Sequence, residues 1–163
     1  MLYFAYGSNM SSVRLRARVP SAVARGIAGL PGHRLVFHKT GRLDGTAKCD
    51  AMETGNPCDR VFGVLFEIDP QHRPLLDHAE GLGSGYEHKI VTVQMDNSRY
   101  EAFTYYATIT DASLRPLHWY RQHVLHGALE YGLPPEYIEA IRRVESIPDQ
   151  DAARQESELA LYR

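Results

Sequence analysis

The sequence predicts an α+β fold whose mixed or antiparallel sheet could curl into a barrel. Three observations carry this. About six or seven strand-like segments run almost consecutively, they do not alternate with helices as βαβ units would, and two strong helical patterns come together late in the chain. The 163 residues suit one domain with its own core, expected over 1–148 with a polar tail over 149–163.

The first strand, Leu2–Tyr6, is rich in aromatics and stops at Gly7. Ser8 and Asn9 then turn the chain into a helix expected over Met10–Ala17, with either residue able to cap it, before Pro20 ends the run. Strands are expected over Ala22–Ala28 and His33–His38, separated by the breaker cluster Gly29–Gly32. Lys39–Arg60 reads as loop-rich around a short strand at Ala47–Met52. Val61–Ile68 is an apolar buried strand, and Asp69-Pro70 opens a short helix by an Asp N-cap and a proline in the first turn. Leu75, Leu76 and Ala79 form that helix's apolar face, and Gly81 ends it.

Tyr86–Met95 and Tyr100–Ile109 form a hairpin about Asp96-Asn97-Ser98. A helix over Pro116–Tyr131 buries Leu117, Tyr120, Val124 and Leu125, with Leu129 near the stripe. After Gly132, Pro134 and Pro135 open another helix, with Tyr137, Ile138, Ile141 and Val144 as its face. The polar tail beyond Pro148 is expected to be a frayed helix or one that faces a second copy in a homodimer.

Net charge is −2, and acidic and basic residues are interspersed. That excludes the basic stripe of a nucleic-acid or anionic-membrane binder and favours a small-molecule partner. Two cysteines, Cys49 and Cys58, are too few for a disulfide framework, and no segment reads as a leader or a membrane span; the expected setting is cytoplasmic.

Two stretches could carry chemistry. At Tyr6-Gly7-Ser8-Asn9 a strand-to-helix turn leaves backbone N–H groups free to hold a carboxylate or an oxyanion, though an ordinary capped turn has the same spacing. Glu80 falls at a helix C-terminus, where an ionised carboxylate is disfavoured; partly buried, it would have a raised pKa and could exchange protons near neutrality, and otherwise it is a solvated surface residue. Other chemistries have little support. His118, His123 and His126 share a helix without zincin spacing, the cysteines lack CxxC spacing, and Gly7-Ser8-Asn9 is not a nucleophile elbow for Ser8.

These residues, together with Phe62-Gly63-Val64-Leu65-Phe66, Leu76-Asp77-His78-Ala79-Glu80-Gly81 and Gly132-Leu133-Pro134-Pro135-Glu136-Tyr137, resemble the γ-glutamylcyclotransferase family from Leu2 to about Pro148. The resemblance implies a mixed, mostly antiparallel β-barrel with short peripheral helices, no metal and no organic cofactor. It implies Glu80 as the catalytic acid/base and Tyr6, Gly7, Ser8 and Asn9 as the substrate loop. Tyr105 and Tyr120 match pocket positions, with Tyr106 an alternative to Tyr105 by one register step. The implied reaction closes a γ-glutamyl substrate onto itself, its α-amine attacking the γ-carbonyl to release 5-oxoproline and an amine or amino acid. Within the same resemblance the leaving group could instead be a biosynthetic intermediate or an ε-lysine amine, and a non-catalytic binding module could keep the same pocket. Gly45–Cys58 departs from the family pattern in Cys49, Asp50 and Glu53, which could line the leaving-group side.

Overall fold

In the computed structural model, which describes residues Met1–Arg163, the opening strand Leu2–Ala5 (β1) lies where the barrel closes. The other strands are Val23–Pro31 (β2), His33–Thr40 (β3), Ala47–Glu53 (β4), Arg60–Glu67 (β5), Tyr86–Met95 (β6) and Ser98–Ala107 (β7). Five of them form a closed barrel in the order β1-β5-β2-β6-β7, and β3 and β4 form a separate hairpin. All barrel pairings are antiparallel except β1 with β7, which meet in parallel at Tyr3 and Phe103 and make the sheet mixed. Closure leaves the barrel no free strand edge. Phe4, Phe66, Phe103, Leu65 and Val64 fill the core.

Five helices surround the barrel: Ser12–Arg18 (α1), Arg73–Glu80 (α2), His118–Tyr131 (α3), Pro135–Arg143 (α4) and Ala152–Leu159 (α5). The expected Asp69 cap is present, its side chain accepting from the Gln71 N–H at 2.9 Å, but the chain makes a 3₁₀ turn before α2 proper begins. Gly81 ends α2 in the left-handed conformation at φ 69°, where its N–H and that of Leu82 close onto the His78 and Asp77 carbonyls.

Several local expectations are corrected. The Met10–Ala17 helix is two pieces, a 3₁₀ turn over Ser8–Met10 and then α1, and its cap is Ser11 rather than Ser8 or Asn9. Two breaks in φ/ψ, at Gly7 and Ser11, hold the polar pair in the turn instead of releasing it into a helix. The Gly29–Gly32 cluster does not separate neighbouring strands of one sheet: β2 runs through Pro31, the turn falls at Gly32, and β3 leaves the barrel to pair with β4. Only Leu76 of the α2 face is buried, while Leu75 and Ala79 are exposed because one turn of so short a helix reaches the core. Leu129 also faces solvent, and Trp119, His123 and Ala128 take the buried side of α3.

The tail is neither frayed nor detached. Buried Asp149 accepts from Trp119 Nε1 at 2.7 Å and from both nitrogens of the Arg154 fork at 2.6 Å, which joins α3 to α5. Farther on, Glu158 receives Arg14 at 2.7 Å and His123 Nε2 at 2.8 Å, and the Tyr162 hydroxyl lies 2.5 Å from His123 Nδ1. The hydrogen bond from His123, followed by the Arg14 charge, holds Glu158 well below the ordinary carboxylate range, at about 2, and burial pushes His123 below its own.

Both shifts have the same sign in pH. Glu158 stabilises the fold above its unfolded pKa and ceases to as pH falls towards about 2, while unfolded His123 takes up a proton below about pH 6.5 that the folded side chain resists. Acidification from about pH 7 to about pH 3 should therefore loosen α5, read as lower protection factors (exchange corrected for the intrinsic rate at each pH) for the amides of 152–162. Glu158→Gln should weaken the tail at neutral pH and flatten that acid response; an unchanged response would show that the clamp does not govern it.

Candidate active site

The barrel mouth gathers the residues singled out in the sequence. β1 ends at Ala5, and the Ser8–Met10 turn closes with the Met10 N–H on the Gly7 carbonyl at 3.0 Å. The N–H groups of Gly7, Ser8 and Asn9 then find no acceptor in the chain, as the first donors of a helical turn do not. From the other side α2 brings Glu80. Tyr6, Gly7, Ser8, Asn9, Glu80, Tyr105 and Tyr120 line one narrow recess of about 20 Å³, with Tyr3, Cys49 and Tyr86. An adjoining cavity of about 390 Å³ shares Ser8, Glu80, Tyr86 and Tyr120 with it.

Glu80 Oε1 accepts from Asn9 Nδ2 at 2.7 Å and from Arg18 at 3.2 Å, and Arg18 also donates to Asn9 Oδ1 at 2.9 Å. Both donors go to the same oxygen, so Oε2 has no partner in the chain. The side chain is largely covered, with 16% of its surface exposed. The solvated-surface reading of Glu80 thus gives way to a positioned carboxylate. Arg18 is one of three alternating arginines, Arg14, Arg16 and Arg18, and only the folding of α1 back beside α2 sets it apart from the other two at Glu80.

The hydroxyls of the tyrosines divide by function. Tyr6 donates to the Tyr105 carbonyl at 2.7 Å, Tyr86 to the Cys49 carbonyl at 2.5 Å and Tyr105 to Asp77 at 2.5 Å, so their protons are spent inside the fold. Tyr3 accepts from Asn9 Nδ2 at 3.2 Å and Tyr120 from the Cys49 N–H at 3.0 Å, and each keeps an O–H for a ligand. Burial pushes all five phenols far above their ordinary range and keeps them protonated. Tyr105 faces the recess, while Tyr106 lies under Lys89 at 5.5 Å on the other side of β7. Asp77, one turn before Glu80, ties α2 to β7 through Tyr105.

Cys49 lies in the recess, but Asp50 and Glu53 do not. Asp50 is buried, accepting from the Ala107 N–H at 2.9 Å and pairing with His38 at 2.8 Å, and Glu53 pairs with Lys89 at 3.2 Å. Their charge serves the attachment of the β3–β4 hairpin to β6 and β7 rather than the leaving-group side. Burial pushes the Cys49 thiol up, away from the thiolate a nucleophile needs. His118 bonds to Ser146 at 2.7 Å, His123 belongs to the tail clamp, and His126 stacks on Tyr162, so the three histidines of α3 do not converge.

Comparison with known proteins identifies the family. The model of the AIG2-like family matches residues 60–141, from β5 to α4, which includes Glu80. Curated γ-glutamylcyclotransferases are similar over most of the chain: the Bos taurus protein is 33% identical over 147 residues, covering 88% of this chain and 78% of the relative. The Homo sapiens protein is 30% identical over 148 residues with the same coverage. A solved structure of a γ-glutamyl cyclotransferase superposes with a TM-score of 0.87 at 28% identity, covering 98% of both chains. On these similarities and the shared barrel, the chain belongs to the γ-glutamylcyclotransferase family.

Proposed function

We propose that this γ-glutamylcyclotransferase releases 5-oxoproline from a γ-glutamyl-amino acid, with Glu80 moving the protons and the Tyr6–Asn9 loop holding the substrate. The observation that carries the reading is the free Oε2 of Glu80, an unpartnered carboxylate oxygen at the recess while Oε1 is pinned by Asn9 and Arg18. Oε2 takes a proton from the substrate's α-ammonium, and the freed amine attacks the γ-carbonyl. A new C–N bond closes the five-membered ring, and the oxyanion meets the unpartnered N–H groups of Gly7, Ser8 and Asn9. The first proton returns from Glu80 to the amide nitrogen as the C–N bond breaks and the carbonyl re-forms, and the ring nitrogen's second proton then follows through Glu80 to the same nitrogen, which leaves as an ammonium. Tyr120 and Tyr3 supply the two uncommitted O–H donors for the substrate's carboxylate.

The nucleophile is in the substrate, so the protein's share is position and proton transfer. Ser8 is then a backbone donor first and a hydroxyl second. Ser8→Ala should lower kcat/KM by about tenfold or less, the worth of one hydrogen bond, and much less than loss of the Glu80 carboxylate. The measurement is 5-oxoproline release from γ-glutamyl-alanine. A trapped acyl-enzyme on Ser8, with Ser8→Ala the more damaging change, would overturn the assignment. No helix is long and apolar enough to cross a membrane. The proposed setting is cytoplasmic, consistent with free thiols at buried Cys49 and exposed Cys58.

A further inference from the structure

The larger cavity contains a cation that nothing in the chain satisfies. Lys39 stands on β3 at a bulge, where the register with β4 slips between Phe37 and Lys39, and such bulges re-aim side chains beside functional sites. The residue is only 4% exposed, and its ammonium, whose accessible surface faces the cavity, has no hydrogen-bond acceptor and no carboxylate partner in the chain; the Tyr86 ring lies 4.5 Å from it. What it exposes opens into the cavity that Glu80 also borders. Gly85 makes the seat: a Cβ there would come within 3.0 Å of Lys39 Cε and 3.1 Å of Nζ.

The neighbouring charges do not neutralise it. Arg14 is paired with Glu158, Arg18 with Glu80, and Lys48 with Asp44, while Arg42 is exposed at the mouth without an ion pair. Five cations therefore face three carboxylates around this cavity, in a chain whose formal charge is −2. Burial lowers the Lys39 pKa and the Glu80 carboxylate opposes the shift, so an added anion nearby would favour the charged lysine. Cations held in largely buried side chains are usually paired, and here an anion entering the cavity can supply the partner that the chain does not.

We propose that this cavity is the leaving-group subsite and that Lys39 binds a carboxylate on the departing amine, with Arg42 free to meet a second one at the mouth. The preferred substrates are then γ-glutamyl conjugates of dicarboxylic amino acids, followed by those of neutral amino acids, with those of simple amines last. The proposal rests on the cyclisation at Glu80 described above. It adds a specificity residue whose contact is with the portion of the substrate that leaves.

The test compares kcat/KM of the full chain on γ-glutamyl-glutamate, γ-glutamyl-alanine and γ-glutamyl-ethylamine. Lys39→Met should lose roughly ten- to a hundredfold on the first, the range of a charge-assisted hydrogen bond, and less than about twofold on the ethylamine. Lys39→Arg should recover some of the preference. Equal losses on all three compounds, or an unchanged preference, would make Lys39 a packing residue and overturn the proposal. Calorimetric binding of the intact compounds to Glu80→Gln protein, with and without Lys39→Met, reads the same preference without turnover. If the wild-type chain formed no 5-oxoproline, the cyclisation reading would fall while the calorimetry still decided the subsite: selectivity lost with Lys39→Met supports it, and equal binding refutes it.

Discussion

Glu80→Gln is expected to keep the fold and to cut 5-oxoproline release by about 10³-fold or more, within the range that positioned acid–base groups contribute. The substitution isolates the chemistry because its geometry is conservative. The Gln carbonyl oxygen can occupy the place of Oε1 and accept from Asn9 Nδ2 and Arg18 as the carboxylate does, at 2.7 and 3.2 Å. The amide nitrogen then replaces Oε2, the one oxygen with no partner in the chain, and an amide nitrogen cannot take up the substrate's proton. Arg18 loses its ion pair, but it is 26% exposed, and pairs in contact with water contribute about 1 kcal/mol or less. Melting should therefore shift by only a few degrees, and the fall should appear in kcat more than in KM. Near-normal turnover would remove Glu80 from the mechanism.

Why Glu80 could be found in the sequence while Arg18 and Lys39 could not comes down to the range of the signals. Gly81 is a local mark: a left-handed cap fixes the end of α2, and Glu80 is the residue before it. The hairpin after Met95 and the apolar run of β5 are local in the same way, and both formed close to where expected, although the turn is Asp96-Asn97 alone, with Asp96 at φ 53°, and the return strand begins at Ser98 rather than Tyr100. Arg18 meets Glu80 across 62 residues and Tyr120 meets Cys49 across 71, contacts set by barrel closure and by the crossing of α3. No periodicity encodes them. Lys39 is legible only after the β3 bulge and the departure of the β3–β4 hairpin from the barrel are known. The helical faces misjudged at Leu75 and Leu129 have a related cause, since hydropathy shows which residues could be buried but not how wide the facing surface is.

Gly127→Ala is expected to damage both stability and turnover, because it acts on the packing that holds the proposed substrate loop. On α3 this residue has no side chain to lose, and replacing glycine by alanine in a helix would by itself be favourable by about 1 kcal/mol. Space decides against it. A Cβ at Gly127 would stand 2.5 Å from Met10 Cβ, 2.6 Å from the Ser11 backbone nitrogen and 2.7 Å from the Met10 carbonyl carbon. Two of these are backbone atoms, and Met10 is fully buried, so no side chain can swing aside. Either α3 retreats or the Ser8–Met10 turn moves, by something on the order of 1 Å. Overpacking of this kind costs about 3 kcal/mol, which for a chain this long lowers Tm by roughly 5–10 °C. Because the same turn presents the free N–H groups of Gly7, Ser8 and Asn9, a shift that size should also cut kcat/KM by about a hundredfold in the molecules that remain folded. Calorimetric melting and cyclisation assayed well below Tm separate the two effects. A variant with reduced Tm but full turnover would mean that α3 yields while the loop stays in place; normal values of both would mean that the close approach of α3 is not what positions the loop. The expected joint loss would tie Tyr6–Asn9 to a helix more than a hundred residues away, and would account for the rigidity that the proposed role asks of a turn of glycine and two small polar residues.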